Sequence, residues 1–149
     1  KTTELPFLGF IMLLKNFLKK EMKRKNISSG VKWEDVVGYS RAVRVGNIIE
    51  VAGTTAVDGE QVIGKNDPYK QTHFILQKVE KALQQAGAEM TDVVRTRMLV
   101  TNIDQWEEIG KAHGEFFRTI KPAATMVEVS RLIDDRLLIE IEVSAIITD

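Results

Sequence analysis

Two glutamates near the carboxyl end are the residues of this chain best suited to acid–base chemistry. Glu140 and Glu142 alternate with apolar residues across the segment 137–147, and this period of two predicts a β-strand with one apolar face and one carboxylate face. A carboxyl group that is buried between subunits has a raised pKa and suits proton transfer. If the face is open to solvent, its charges pair at the surface and contribute little.

Residues on two other predicted strands point to the same face. The segment 91–101 places alternate arginines on one side, and the segment 124–130 alternates in a similar way. If the apolar sets face the helices, the uncovered side of the sheet combines opposite charges with large aliphatic residues. That mixture is typical of a subunit interface with internal ion pairs and predicts an oligomer, with ion pairs on a solvated sheet as the evenly weighted alternative. The residues assigned to this side are Arg95, Arg97, Leu99, Met126, Glu128, Leu138, Glu140, Glu142 and Ile146.

The composition argues against several kinds of site. The 149 residues include no cysteine, which removes disulfides, thiolate nucleophiles and cysteine-ligated metals and is compatible with a reducing, cytoplasmic setting. With His73 and His113 as the only histidines, a catalytic zinc site is not expected. The formal net charge is zero, but residues 26–149 hold 14 basic and 19 acidic residues. This acidic balance disfavours nucleic acid as a partner.

Residues 1–21 differ in character from the rest of the chain. An apolar run from Leu5 to Leu14 is followed by a basic segment. The run is too short to span a bilayer, and its charges follow the apolar residues, whereas those of a signal peptide precede them. We interpret 1–21 as an upstream or non-native extension, with a basic membrane-surface helix as the alternative. Residues 22–149 form the single predicted domain, and no membrane partner is expected.

The elements of this domain predict an α+β fold. Gly46-Asn47 predicts a tight hairpin, Asp67-Pro68 and Gly87 bound a first helix, and Asp104 begins a second. The order β-β-(β)-α-β-α-β-β places two helices on one face of a mostly antiparallel sheet. The predicted strands are 40–45, 48–55, 61–63, 91–101, 124–132 and 136–147.

Five short segments carry motifs in an order that resembles one known family. Gly38-Tyr39-Ser40-Arg41-Ala42 is similar to a GPYSxA opening, and Val51-Ala52-Gly53-Thr54 is similar to a V-S-G-Q strand end. The other three are Asp92–Thr96, similar to D-V-V-K-x, residues 122–132, similar to P-A-R-S-x-V-x-V-A-x-L, and Glu140–Glu142, which matches E-I-E. Over about residues 35–147 the chain thereby resembles the Rid family of reactive intermediate deaminases, also called YjgF.

The resemblance implies a chorismate-mutase-like fold and a homotrimer with a small-molecule cleft at each subunit interface. The implied chemistry is hydrolysis of an enamine or imine to a keto acid and ammonia, without a metal or an organic cofactor. In this picture Glu140 positions water, Tyr39 lines the pocket, and backbone groups near Gly53 and Thr54 shape it.

The sequence departs from the family pattern at the substrate clamp. Active members bind the substrate carboxylate with the arginine of the P-A-R segment, and here that position is Ala124, which cannot supply a planar bidentate contact. Arg97 or Lys121 could replace the lost charge, although an arginine on a strand beside glutamates is more often an ion-pair partner. Met126 belongs to the same pocket segment.

Three functions are compatible with this departure. The first is a deaminase or related hydrolase with an atypical substrate, the second is a ligand-binding trimer without catalysis, and the least favoured is an endoribonuclease or translation inhibitor. His113 has two interpretations as well: it is a packed residue at the edge of the core, or an acid–base group if it points into the cleft near Glu140.

Overall fold

A six-stranded sheet is the frame of the protein. The computed structural model describes residues 5–21 and 23–148. The strands are β1 (Arg24–Ile27), β2 (Ala42–Val45), β3 (Ile48–Thr54), β4 (Val57–Asp58), β5 (Gln61–Val62), β6 (Val93–Val100), β7 (Ala123–Glu128) and β8 (Ile139–Ile146). Their order in the large sheet is β1-β2-β3-β8-β6-β7, and β4 and β5 form a separate two-stranded ribbon.

Two long helices cover one face of the large sheet. The helices are α1 (Leu5–Glu21), α2 (Trp33–Val37), α3 (Pro68–Ala86) and α4 (Trp106–Phe117). The buried side of α3 and that of α4 join the apolar residues of β8 and β6 in one core, which removes their surface from water and supplies most of the driving force for folding. The predicted α+β arrangement, with two helices on one side of the sheet, is confirmed.

Three of the local signals for turns and caps correspond to real features, but Asp104 does not begin α4, which starts at Trp106 without a side-chain cap. Gly46 has φ of +62°, and the turn places Val45 opposite Ile48 in the β2–β3 hairpin. Asp67 accepts a hydrogen bond from Lys70 N at 2.9 Å as the N-cap of α3, and Gly87 ends that helix with φ of +81°. These positions were predicted because each needs a residue with a particular backbone freedom or side-chain acceptor.

The edge strand β7 differs from the prediction in which residues it turns toward the helices. It runs parallel to β6 after the α4 crossover, and its register places Thr125 opposite Arg97 and Val127 opposite Leu99. Met126 and Glu128 therefore lie on the helix-covered side, and their assignment to the uncovered side was wrong. The error has a physical cause: β7 is largely exposed on both faces, so its apolar alternation does not report which face is buried.

The amino-terminal part of the domain contains elements that the prediction omitted. β1 pairs antiparallel with β2 although only Ile27 of its four residues is buried. The short helix α2 follows, and Gly38 ends it with φ of +83°. Before them, α1 exposes large apolar side chains such as Phe7 and Leu13. No helix within residues 5–21 and 23–148 is both long and apolar enough to cross a bilayer.

A buried glutamine fixes the start of β8. Gln71 on α3 is fully buried; its Nε2 donates to Gly64 O at 3.2 Å and to Arg136 O at 2.9 Å, and its Oε1 accepts from Leu138 N at 2.8 Å. One side chain thus satisfies three backbone groups that the core would otherwise leave unpaired. Since Leu138 immediately precedes β8, this contact also positions Glu140.

Replacing Gln71 with leucine should destabilise the protein, because a side chain of similar size would leave these three backbone groups unsatisfied. We expect Gln71→Leu to lower the free energy of unfolding by about 3 kcal/mol, measured by urea denaturation at one protein concentration. The matched control is Gln84→Leu on the exposed side of α3, which should change it by less than about 0.5 kcal/mol. Equal losses in the two variants would contradict the role given to Gln71.

Candidate active site

The uncovered face of the sheet carries a ladder of polar pairs. Arg97 Nη2 lies 2.8 Å from Glu142 Oε2 across the β6–β8 pairing, and Ser144 Oγ donates to Glu50 Oε2 at 2.7 Å across the β3–β8 pairing. Arg97 thus forms an ion pair within the chain, which is the more frequent role of a strand arginine beside glutamates. Its partner is Glu142 and neither Glu128 nor Glu140.

Glu140 lies on the same face, at an irregularity between β3 and β8. The register of this pair shifts between Val51 and Thr54, and Gly53 stands at the shift. A methyl group on Gly53 would overlap Glu140 Oε1 and would lie 2.9 Å from its Cδ. Any side chain at position 53 would therefore displace the Glu140 carboxylate, which occupies that space.

Arg41, like Glu140, lies next to Gly53. Its Nη2 donates to Gly53 O at 2.7 Å, and its guanidinium carbon lies 6.0 Å from the centre of the Tyr39 ring, within the range of a cation–π contact. Arg41 Nε is buried and has no hydrogen-bond partner in the part of the chain that the structure describes. Gly53 is thus in contact with one carboxylate and one guanidinium, and we call this residue the Gly53 floor of the site.

The ionisation of Glu140 is perturbed by its surroundings. Burial raises the pKa of the Glu140 carboxyl above its ordinary value, and the nearby charge of Glu142 raises it further, while Arg41 acts in the opposite direction. Burial also lowers the pKa of Arg41, but a guanidinium stays protonated in proteins. The site therefore combines a permanent cation with a carboxyl group that takes up a proton more readily than usual.

Two further charged residues surround Arg41. Glu34 on α2 is buried and accepts hydrogen bonds from Ser28 Oγ, Ser29 N and Ser29 Oγ; burial opposes its ionisation, but these bonds outweigh burial and lower its pKa. Lys78 on α3 donates to Thr55 O at 2.9 Å and to Val57 O at 2.7 Å. Its pKa is lowered first by burial and then by the charge of Arg41.

Local backbone bonds explain how these groups are held. Glu34 O accepts from Gly38 N at 2.9 Å and from Tyr39 N at 3.0 Å, which fixes Tyr39 just after α2. Ala52 N donates to Arg41 O at 3.0 Å, which sets Arg41 beside the end of β3. Thr54 is buried and its Oγ1 donates to Ala52 O at 2.8 Å within the same strand.

The other predicted site residues lie elsewhere in the single subunit. His113 is on the helix-covered side, with Nε2 3.0 Å from Thr96 Oγ1 and its ring centre 4.6 Å from that of Phe117; burial lowers its pKa. Ala124 and Met126 are on that same side of β7. Lys121 is exposed with φ of +54° and precedes the end of β7 that is farther from Glu140. Within one subunit, none of these residues is brought to the face that carries Glu140.

Sequence reasoning did not select Arg41, Lys78 or Glu34. A signal for Arg41 was present, because a basic residue directly before the buried Ala42 must turn to the opposite side of the chain, the side of Glu140. Lys78 and Glu34 carried no comparable signal, since helix and loop positions do not reveal which strand end they meet.

A cavity of about 420 Å³ adjoins this cluster on the uncovered face. Tyr39, Ala52, Arg97 and Glu142 are among the residues that line it, whereas Glu140, Gly53 and Arg41 are not. Within residues 5–21 and 23–148, no group of three or more histidine, aspartate and glutamate side chains is placed to hold a metal ion. The arrangement is suited to proton transfer by a carboxyl group next to a fixed positive charge.

Comparison with known proteins gives consistent results. The sequence model described as Endoribonuclease L-PSP matches residues 30–147. A crystal structure of a member of the highly conserved YjgF/YER057c/UK114 family from Mycobacterium tuberculosis is 46% identical, with a TM-score of 0.77 over 84% of this chain and 100% of that one. An uncharacterized protein of Streptomyces coelicolor is 36% identical over 121 residues, or 81% of this chain and 90% of the relative. A RutC family protein of Pyrococcus abyssi is 38% identical over 108 residues, or 72% and 84%.

The matched region contains all of the motifs on which the resemblance rested, and it includes both β3 with Gly53 and β8 with Glu140. The chain therefore belongs to the Rid (YjgF) family and has its chorismate-mutase-like α+β fold.

Proposed function

We propose that this protein is a hydrolytic deaminase that converts small imines or enamines to carbonyl compounds and ammonia, with Glu140 as the group that activates water. The observation that carries the proposal is the position of the Glu140 carboxylate over Gly53, half-buried and with a raised pKa. A pKa closer to neutrality suits a group that must both accept and return a proton.

The reaction needs only proton transfers and one addition. An enamine first takes a proton on carbon and becomes a protonated imine. Glu140 accepts a proton as water adds to the carbon of this protonated imine, which gives a neutral carbinolamine, and it returns that proton to the nitrogen. The C–N bond then breaks and ammonia leaves, while the hydroxyl proton passes to Glu140 and the carbonyl group forms. Arg41, 2.7 Å from Gly53 O, stabilises the ionised form of Glu140 before water adds.

The proposal includes assembly as a homotrimer with a ligand cleft at each interface. Ile48 and Val127 on the uncovered face are 50% and 44% exposed, beside the Arg97–Glu142 ion pair. Covering such a surface with further copies would bury its apolar area.

The replacement of the family arginine by Ala124 supports a second candidate, a trimer that binds a small ligand without catalysis. An assay that couples 2-aminoacrylate generation to keto-acid release separates the two functions. A further candidate follows from the description of the matching model as an endoribonuclease, but residues 26–149 are more acidic than basic, which is unfavourable for a phosphate backbone. RNA cleavage that survives repurification and disappears in Glu140→Gln would support it.

The first prediction concerns Glu140 itself. Glu140→Gln removes the proton acceptor while keeping the size of the side chain, and we expect kcat/KM to fall by about 100-fold or more. In the unaltered protein kcat/KM should rise with pH through a pKa above 4.5, because the carboxyl must lose its proton to accept one and its pKa is raised. The control Glu107→Gln, on the exposed side of α4, should keep activity within twofold. An equally active Glu140→Gln would refute the proposed role.

The second prediction concerns the floor of the site. Gly53→Ala would place a methyl group where the Glu140 carboxylate lies, so the carboxylate must move, and we expect kcat/KM to fall at least tenfold, consistent with the cost of misplaced catalytic groups. Gly110→Ala is the control, since a methyl group there meets nothing within 4 Å; it should retain activity and gain up to about 1 kcal/mol of stability. Full activity in Gly53→Ala would show that the position of Glu140 is not critical.

The third prediction concerns assembly. Light scattering at micromolar concentration should give about three times the 16.8 kDa mass of one chain. Val127→Asp places a charge on the uncovered face and should shift the mass toward that of one chain. Val36→Asp, at a valine of α2 that is 71% exposed, should leave the mass unchanged. A mass near one chain for the unaltered protein would exclude the trimer.

A further inference from the structure

We propose that Arg41 binds the carboxylate of the substrate, so that this protein acts on carboxylate-bearing imines or enamines although Ala124 has replaced the family arginine. The inference rests on the proposed deaminase function and specifies which substrates that site accepts. It also identifies the residue that determines this specificity.

The hydrogen-bonding capacity of Arg41 is only partly used. A guanidinium has five N–H donors, and Arg41 uses Nη2 for Gly53 O while its Nε is buried without a partner among the described residues. No ion pair joins Arg41 to a carboxylate within residues 5–21 and 23–148. A partly buried charge without a close counter-charge favours binding of an anion.

The nearby carboxylates do not already satisfy this charge. Glu34 accepts three hydrogen bonds from Ser28 and Ser29 and forms no ion pair with Arg41. Glu140 shares the Gly53 floor with Arg41 but is also outside ion-pair distance in the described part of the chain. Arg41 therefore has no carboxylate within ion-pair distance among the described residues.

The placement of Arg41 relative to Glu140 suits a short substrate. Arg41 binds the carbonyl oxygen of Gly53, and the Glu140 carboxylate lies over the α-carbon of the same residue. A molecule whose carboxylate binds Arg41 next to Gly53 would have the adjacent carbon on the side of Glu140. In an imine or enamine of a 2-oxo acid, that adjacent carbon is the one that water must attack.

The other cations do not compete for this role. Arg97 is paired with Glu142 at 2.8 Å. Lys78 is held by the carbonyl oxygens of Thr55 and Val57; it adds positive potential near Arg41 but cannot form a planar two-bond contact with a carboxylate. Lys121 precedes the far end of β7.

The test measures binding without turnover, using pyruvate as the probe and titration calorimetry as the readout. We expect saturable binding of pyruvate to the unaltered protein, at least tenfold weaker binding to Arg41→Met, and an intermediate loss in Arg41→Lys, which keeps the charge but not the planar fork. The control Arg118→Met changes an exposed arginine just after α4 and should bind pyruvate within twofold of the unaltered protein. Pyruvamide, which has the same shape without the charge, should bind weakly and equally to all of them.

Three results would overturn the inference: no saturable pyruvate binding by the unaltered protein, binding by Arg41→Met within twofold of it, or an equal loss in Arg118→Met. Circular dichroism establishes that each variant is folded, and if Arg41→Met does not fold, unchanged pyruvate affinity in Arg41→Lys overturns the inference instead. The deaminase proposal fails separately. Pyruvate binding that depends on Arg41, in a protein that releases no ammonia, would support Arg41 as the carboxylate-binding residue and reject the catalytic function.

Discussion

The close approach of the Glu140 carboxylate to the backbone of Gly53 is the constraint on which the rest of the site depends. It exists because the β3–β8 pairing is irregular between Val51 and Thr54 and because residue 53 has no side chain. Sheets with regular pairing would place a neighbouring side chain in that space. The irregularity therefore gives the sheet a small surface at Gly53 on which the Glu140 carboxylate lies.

That surface is held from several directions by buried polar contacts. Gln71 fixes the chain just before β8, Lys78 holds the carbonyl groups beyond the end of β3, and Arg41 binds the Gly53 carbonyl from β2's side. Each of these side chains could replace its hydrogen bonds with bonds to water only if the fold opened. The contacts that hold the site consequently also stabilise the domain, and the geometry of the site is preorganised before any ligand arrives.

The partial burial of Glu140 lowers the free energy of unfolding in a pH-dependent way. Its pKa in the folded chain is raised above 4.5, so between that value and the folded pKa the folded chain binds more protons than the unfolded chain. The unfolding free energy therefore falls as pH rises through this window, and the full cost is present above the folded pKa. A carboxylate that destabilises the fold once it is ionised is more readily explained by function than by structure.

Sequence patterns predicted the parts of the fold that depend on local chemistry. The Gly46-Asn47 turn, the Asp67 cap and the helix end at Gly87 follow from what individual residues permit, and the family motifs located Gly53 and Glu140. The face of Met126 was mispredicted because an exposed edge strand gives no burial signal. β1 was omitted for a related reason, since it contributes only Ile27 to the core.

Arg41 shows a different limit, because alternation indicates the side on which it lies but does not encode its contact with the Gly53 carbonyl across the sheet. The family motif has an arginine at position 124, and this chain has an alanine there. The chemistry of the site depends instead on whether some cation reaches the Gly53 floor. In this chain Arg41, directly before β2, reaches the Gly53 carbonyl, so the cation and the carboxylate are held together by one domain. Assembly would then be needed to enclose the ligand and exclude water rather than to bring the charges together.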